Sequence, residues 1–400
     1  MDVVPFVDQA LGNSSYLVGL GEGRAMVVDP VRDVKPYRSE AERRQWVIDY
    51  ALETHLHADF VSGSRELALL GAQVVAPAAA GLEFPHRGLG EDEELELGGL
   101  DVRAVPTPGH TPEHLAYLVS DGSHPMGLFS GGSLLVGSVA RTDLISPEST
   151  EELTRRMHRI ARPNLLGLPD DLPVHPTHGA GSFCSVGSTG AHTTTIGAER
   201  TANPLLATGE EDVFVARLLG GLGSYPTYFL RLREVNRRGP QVYGDHPLLS
   251  PLTVEQIDRL VAEGAELIDA RSGGRFCAAH LPGSLSIALR PAFASWLGWL
   301  VPMDRPLVFV LDGDQDRLEL VRQCLAIGYE DLAGELAGGI GAWRAAGREV
   351  RSTRQVGPGE LEGRVVVDVR QVSEYRAGHI PGSVNIELGS LPTTADALPD

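Results

Sequence analysis

In this 400-residue chain the residues best suited to chemistry are Thr54-His55-Leu56-His57-Ala58-Asp59, taken with Pro108-Gly109-His110 further along. Two imidazoles and a carboxylate lie almost side by side, and a third imidazole sits in a glycine-containing turn. Neutral imidazole and carboxylate oxygen are the donors that borderline ions such as zinc and ferrous iron accept. His55, His57 and His110 are therefore candidate metal ligands. Asp59 is a candidate catalytic group, or a further ligand, or the residue that orients one. His178, in Pro176-Thr177-His178-Gly179, would support a ligand from behind or serve as one itself. The plainer reading is a set of hydrogen-bonded polar groups at strand ends, with no metal.

Such a site needs a rigid frame. Ser15-Tyr16-Leu17-Val18 and Ala25-Met26-Val27-Val28 read as a hairpin, closed by Asp29-Pro30. Residues 46–54 read as a buried strand that delivers His55 to Asp59 into the loop at its carboxyl end, and 62–70 as the helix that follows. Residues 74–76, 100–105, 115–119 and 126–129 continue as strands, the second of these leading into Pro108-Gly109-His110. Loops at sheet ends are where a stiff scaffold can hold ligands in place.

The second half contains an internal repeat. Leu267-Ile268-Asp269-Ala270-Arg271, then His280-Leu281-Pro282-Gly283-Ser284, recurs 99 residues later as Val366-Val367-Asp368-Val369-Arg370, then His379-Ile380-Pro381-Gly382-Ser383. A period of that length is one small α/β domain. Between the copies, a strand at 307–311 and helices at 317–327 and near 341–346 predict a parallel sheet covered on both faces. A stretch rich in proline and glycine at 239–251 separates the halves. The expected domains are 1–245, 252–350, and the start of a further copy at 360–400.

Composition narrows the partners. A formal net charge of −19 and a pI near 5.1 argue against nucleic acid and anionic membrane, which both require a positive surface. With 42% hydrophobic and 22% charged residues the chain should be globular. No apolar run reaches membrane-spanning length, and the N-terminus lacks the pattern of a secretory signal. Three widely spaced cysteines do not make a disulfide framework. A cytoplasmic protein is expected, and a homo-oligomer is compatible with the sequence.

Glu53-Thr54-His55-Leu56-His57-Ala58-Asp59-Phe60-Val61-Ser62-Gly63, Thr107 to His114 and Ile196 to Pro204 resemble the persulfide dioxygenase branch of the metallo-β-lactamase fold. Asp-x-Arg followed by His-x-Pro-Gly-Ser, found twice, resembles rhodanese (sulfurtransferase) domains. The chain as a whole is similar to bacterial persulfide dioxygenase–rhodanese fusions. The resemblance implies an α/β architecture: an αββα metallo-β-lactamase-like sandwich followed by doubly wound rhodanese-like α/β domains. It further implies oxidation of a small thiol-borne persulfide, glutathione-like, to sulfite at non-haem Fe(II).

Two departures qualify what carries over. In the family the iron is held by two histidines, here His55 and His110, and by an aspartate whose position is occupied by Gly132 in Ser130-Gly131-Gly132-Ser133. An aspartate restored at 132 should then tighten iron binding. Arg141 is the candidate contact for a substrate carboxylate. The first rhodanese copy has Asp312-Gly313-Asp314-Gln315-Asp316 where a nucleophilic cysteine would begin the loop, so no rhodanese nucleophile is expected. The corresponding loop of the second copy would fall beyond Asp400, which reads as a truncated copy. Three functions remain open: a persulfide dioxygenase with an altered site, a zinc metallo-hydrolase acting on an ester or thioester, and a non-catalytic persulfide or thiol binder.

Overall fold

In the computed structural model, which describes residues 1–185, 190–361 and 363–394, the alternating segments of the first half form two six-stranded sheets. The first contains β1 (Asp2–Asp8), β2 (Asn13–Gly21), β3 (Arg24–Val28), β4 (Val47–Leu52), β5 (Gln73–Pro77) and β6 (Arg87–Leu89), side by side in chain order. The second contains β7 (Glu94–Leu97), β8 (Leu100–Pro106), β9 (Leu115–Asp121), β10 (His124–Gly131), β11 (Pro173–Pro176) and β12 (Thr194–Thr195), also in chain order. The hairpin expected from Ser15 to Val28 is β2 antiparallel to β3, with Tyr16 opposite Val28. The buried strand expected before His55 is β4, parallel to both β3 and β5.

Side-chain alternation builds the layers. Tyr16, Val18, Val28 and Leu52 point between the sheets and meet Val102, Tyr117, Val119 and Phe129. Leu17, Ala25 and Val27 point the other way, onto α1 (Lys35–Arg44) and α2 (Ser64–Leu69). The outer face of the second sheet packs on α3 (Pro147–Arg156), α4 (Arg162–Leu166), α5 (Ile196–Ala202) and α6 (Glu211–Gly220) through Leu165, Ile196 and Phe214. The result is the αββα sandwich. Full burial of each large side chain contributes about 1.5–3 kcal/mol. A core of this size can carry a cluster of polar groups at the strand ends.

The chain divides into two compact units, Met1–Leu222 with Phe229–Gly244, and Gly223–Tyr228 with Asp245–Asp400. A last helix of the first unit is α7 (Phe229–Arg238). The second unit has a parallel sheet of β13 (Pro251–Leu252), β14 (Glu266–Asp269), β15 (Leu285–Ser286), β16 (Leu307–Val310) and β17 (Leu332–Leu336), in the order β13-β17-β16-β14-β15. The strands alternate with α8 (Val254–Ala262), α9 (Gly273–Ala278), α10 (Phe293–Leu300), α11 (Arg317–Ala326) and α12 (Gly339–Ala345). Among the described residues no helix is long and apolar enough to cross a membrane.

The repeat persists in three dimensions. Ile268 pairs with Leu285 and Asp269 with Ser286; 99 residues on, in β18 (Val367–Asp368) and β19 (Val384–Asn385), Val367 pairs with Val384 and Asp368 with Asn385. In each copy the arginine of Asp-x-Arg grips its aspartate and a carbonyl at the foot of the next helix: Arg271 with Asp269 and Ala279, Arg370 with Asp368 and Gly378. His280 and His379 each donate from Nδ1 to a carbonyl four residues back, at 2.9 Å. Both histidines serve the turn.

The loop after β16 is closed by its own side chains. The Asp312 N–H donates to Gln315 Oε1 at 2.8 Å, Gln315 Nε2 donates to the Ala270 carbonyl, and Arg317 Nη1 donates to the Asp312 and Gln315 carbonyls. Asp316 caps α11. The Asp312 N–H is thus already engaged, the loop carries three carboxylates, and no thiol stands there. Cys324 is buried in α11, where loss of solvent pushes its thiol up and away from thiolate character. The chain is therefore expected to show no thiosulfate:cyanide transfer that depends on this copy. Transfer abolished by Cys277→Ser or Cys324→Ser would contradict this.

Candidate metal centre

Five strands deliver the site. Asp29 follows β3, His55 follows β4, His110 follows β8, Gly132 follows β10 and His178 follows β11. All but the glycine bring polar side chains, and each of these is at most 2% exposed. Asp29 adopts φ +49, a left-handed conformation that aspartate tolerates better than most side chains. That turn directs its carboxylate back over the end of β4. There Oδ1 accepts from the Thr54 N–H at 2.7 Å, and Oδ2 accepts from the Thr54 hydroxyl at 2.8 Å and from the Thr177 hydroxyl.

These bonds settle the tautomers. Because the one hydroxyl proton of Thr54 goes to Asp29, Thr54 Oγ1 is left to accept from His55 Nδ1–H, 2.8 Å away. His110 Nδ1–H donates to the Arg141 carbonyl at 2.6 Å, since a carbonyl can only accept. His178 Nδ1–H faces Asp59 Oδ2 at 3.1 Å and Asn13 Oδ1 at 3.2 Å, both acceptors. In His55 and His110, both kept neutral by burial, Nε2 is then the lone-pair nitrogen. One ligand atom from each of His55, His110 and His178 lies within 4.8 Å of the others. His55 Nε2 and His178 Nε2 are only 3.4 Å apart. Metal–nitrogen bonds of about 2.0–2.1 Å place nitrogens on one ion about 3–3.4 Å apart. His55, His110 and His178 could hold a metal ion, each with an acceptor behind it that orients the ring; Asp29, His55 and His57, and His57, Asp59 and His178, lie equally close.

His57 joins the cluster differently. Its ring lies 4.2 Å from that of His55, but its Nε2 is taken by Asp29 Oδ1 at 3.2 Å and Glu53 Oε2 at 3.1 Å. Its Nδ1 is buried with no hydrogen-bond partner among the described residues. Burial alone would lower its pKa, yet the two carboxylates outweigh burial and push it up to about 10. Glu53 is braced in turn by the hydroxyls of Ser62 and Ser64. Burial, then the neighbouring imidazoles, depress His55 far below its ordinary range, and they push His110 down to about 3. Asp59 stays ionised: burial raises its pKa, but His178 and the other rings bring it down to about 2.

Arg141 is buried. Its Nε and Nη2 grip Asp143 at 2.6 and 2.8 Å, and Nη1 donates to the Phe183 carbonyl. Its backbone carbonyl is what orients His110. His114 stacks on His55 at 4.8 Å, with Nδ1 against Thr107 Oγ1 and Nε2 accepting from the Gly132 N–H. Cys184 is free and buried. At Gly132 an added Cβ would lie 2.5 Å from His110 Cδ2 and 3.1 Å from Ala140 Cβ. The His110 ring thus fills the space that a side chain at 132 would need.

Asp29, Glu53, Thr54 and Thr177 were not picked out from the sequence. Asp29 before Pro30 looked like a turn residue, and the others looked like ordinary polar neighbours of the histidines. In the metal-free protein the geometry makes a sharp demand of its imidazoles. Nitrogen NMR should show His57 doubly protonated at pH 8, losing its proton only near pH 10, while His55, His110 and His114 stay neutral down to pH 5. A His57 that titrates near its ordinary 6.5 would contradict the arrangement.

Residues 9–190 match the model of the metallo-beta-lactamase superfamily, and residues 253–346 and 358–400 match that of the rhodanese-like domain. Human mitochondrial persulfide dioxygenase ETHE1 is 28% identical over 212 residues, covering 52% of this chain and 76% of the human protein. A hydroxyacylglutathione hydrolase of Pseudomonas putida is 31% identical over 205 residues, covering 47% of this chain and 78% of that enzyme. A crystal structure of a metallo-beta-lactamase from Staphylococcus aureus superposes with a TM-score of 0.74 at 27% identity, covering 84% of this chain and 98% of that one. ETHE1 from Myxococcus xanthus shares the fold, with a TM-score of 0.51 at 24% identity, over 59% of this chain and 98% of its own. A metallo-beta-lactamase fold joined to a rhodanese-like repeat, with relatives named as persulfide dioxygenases, places this chain in the metallo-beta-lactamase superfamily, among its fusions with rhodanese-like domains.

Proposed function

We propose that the first unit holds a single ferrous ion on His55, His110 and His178 and oxidises the outer sulfur of a glutathione-type persulfide to sulfite. The observation that carries this is the convergence of one ligand atom each from buried His55, His110 and His178 within 4.8 Å, with the Nε2 atoms of His55 and His178 3.4 Å apart. A persulfide dioxygenase relative matched over 76% of its length supports the reaction class. The balance is one persulfide, one O2 and one water giving one thiol, one sulfite and two protons. Ferrous iron would supply the one-electron chemistry that O2 requires to react with a closed-shell sulfur compound.

The protein's own groups do the rest. Thr54, the Arg141 carbonyl and Asp59 fix the three rings, so binding requires no reorganisation of them. A second ion is disfavoured. Position 132 offers no carboxylate to bridge two metals, Phe60 presents a ring stacked on His57 at 4.2 Å, and His178 Nδ1 is already held by Asp59. Three neutral ligands leave the ion's charge to be met by Asp59 and by whatever anion enters, which suits a persulfide.

A second reading has its own support in the 31% identity to a hydroxyacylglutathione hydrolase. On that reading the ion is zinc, Asp59 orients a water, and the substrate is a glutathione thioester. Protein purified without oxygen separates the readings. Iron content with proportional O2 uptake and sulfite release on glutathione persulfide is the expected result. Zinc with hydrolysis of a glutathione thioester would replace the dioxygenase reading, and metal without either turnover would leave a thiol-binding protein. The glycine supplies a second test. Because a methyl at 132 must push the His110 ring aside, Gly132→Ala should weaken iron binding about 10- to 100-fold, the range seen when a ligand's support is lost. For the same reason Gly132→Asp should gain less than a bare ligand count suggests. Unchanged iron affinity in Gly132→Ala would remove His110 from the site.

A further inference from the structure

Asn236, on α7, is 4% exposed and far in sequence from the histidines, yet its whole side chain is engaged by the loop that carries them. Nδ2 donates to the His57 carbonyl at 2.8 Å and to the Phe60 carbonyl at 2.9 Å, and Oδ1 accepts from the Ser62 N–H at 2.9 Å. Both amide protons and the carbonyl are used, which is close to the full capacity of the group. One turn earlier Arg233 Nη2 donates to Glu113 Oε2 at 2.7 Å, and Glu113 Oε1 accepts from the Leu56 N–H at 3.1 Å. The helix therefore fastens the loop on both sides of Asp59, at 56–57 and at 60–62. Asp59 in turn holds His178 Nδ1 at 3.1 Å, and His178 Nε2 stands 3.4 Å from His55 Nε2.

We propose that Asn236 is a positioning residue of the metal centre, acting through Asp59 on His178. This rests on the reading of the histidine cluster as a metal site. Without the amide, two buried carbonyls and one N–H lose their partners, and the loop must move to find water. Asp59 moves with it, and the His178 ring loses the neighbouring anion and keeps only Asn13 Oδ1 against its Nδ1–H. A purely structural role would cost stability and leave the folded protein's affinity for metal intact.

The test uses Co(II), read by its visible absorption, on the full-length protein and on Asn236→Ala, Asp59→Asn and the double variant. Asn236→Ala should bind Co(II) about 10- to 100-fold more weakly with an altered spectrum. Adding it to Asp59→Asn should cost much less than it does alone, because the two act on one ring. If wild type binds no Co(II), the metal reading fails. If wild type binds and Asn236→Ala binds equally well with the same spectrum, the role proposed for Asn236 fails. Full additivity in the double variant would likewise overturn the route through Asp59. Should Asn236→Ala not fold, Asn236→Ser, which keeps one hydroxyl for a carbonyl, carries the same comparison with an intermediate loss expected.

Discussion

The carboxylate of Asp29 is the point on which the rest of the site depends. It is fully buried, and burial alone would favour its neutral form. It is held as an anion by the charge and hydrogen bond of His57, by the Thr177 hydroxyl and by the Thr54 N–H. Each of these bonds has a consequence. The Thr54 hydroxyl, committed to Asp29, can only accept from His55, which turns the His55 lone pair inward. The Thr177 bond ties the start of the loop that carries His178. The contact with His57 keeps that ring charged and engages its Nε2. One anion in a left-handed turn thus sets the protonation of two histidines and anchors the loop of a third. A buried charge of this kind is tolerable only while all its partners are present.

The glycine at 132 reorganises the same cluster from the other side. In the related family an aspartate there is a ligand, and its loss looks in sequence like a vacancy. In three dimensions the His110 ring lies where that side chain would begin, locked by the Arg141 carbonyl at 2.6 Å. The His178 ring lies close by, its centre 5.4 Å from that of His55 and 5.2 Å from that of His110. Asp59 is kept ionised beside His178.

Much of the frame was legible in the sequence, for definite reasons. Two short apolar, β-prone runs, Ser15 to Val18 and Ala25 to Val28, with Gly21-Glu22-Gly23 between them, read as a hairpin. The Asp-x-Arg repeat carried its pairing register across 99 residues because the arginine and the following Pro-Gly turn fix the geometry of each copy. The helical stretch between residues 147 and 238 was largely unread, although Ser146 followed by Pro147 is a usable start signal and does cap α3. What sequence could not give was direction. His57 and His178 are both histidines close to the cluster, and only the partners of each nitrogen show that His178 Nε2 faces His55 while His57 Nε2 faces Asp29 and Glu53. Asn236 carries no local signal, since a single asparagine among arginines and glutamates on a helix resembles a surface residue.

The central claim is that one ion sits on the Nε2 atoms of His55, His110 and His178. X-ray absorption at the iron edge, on full-length protein loaded without oxygen and on His178→Ala, tests it most directly. The account predicts one iron per chain with three imidazole ligands, and a lost imidazole with weakened occupancy in the variant. Two ions per chain, or a spectrum and occupancy unchanged in His178→Ala, would contradict it.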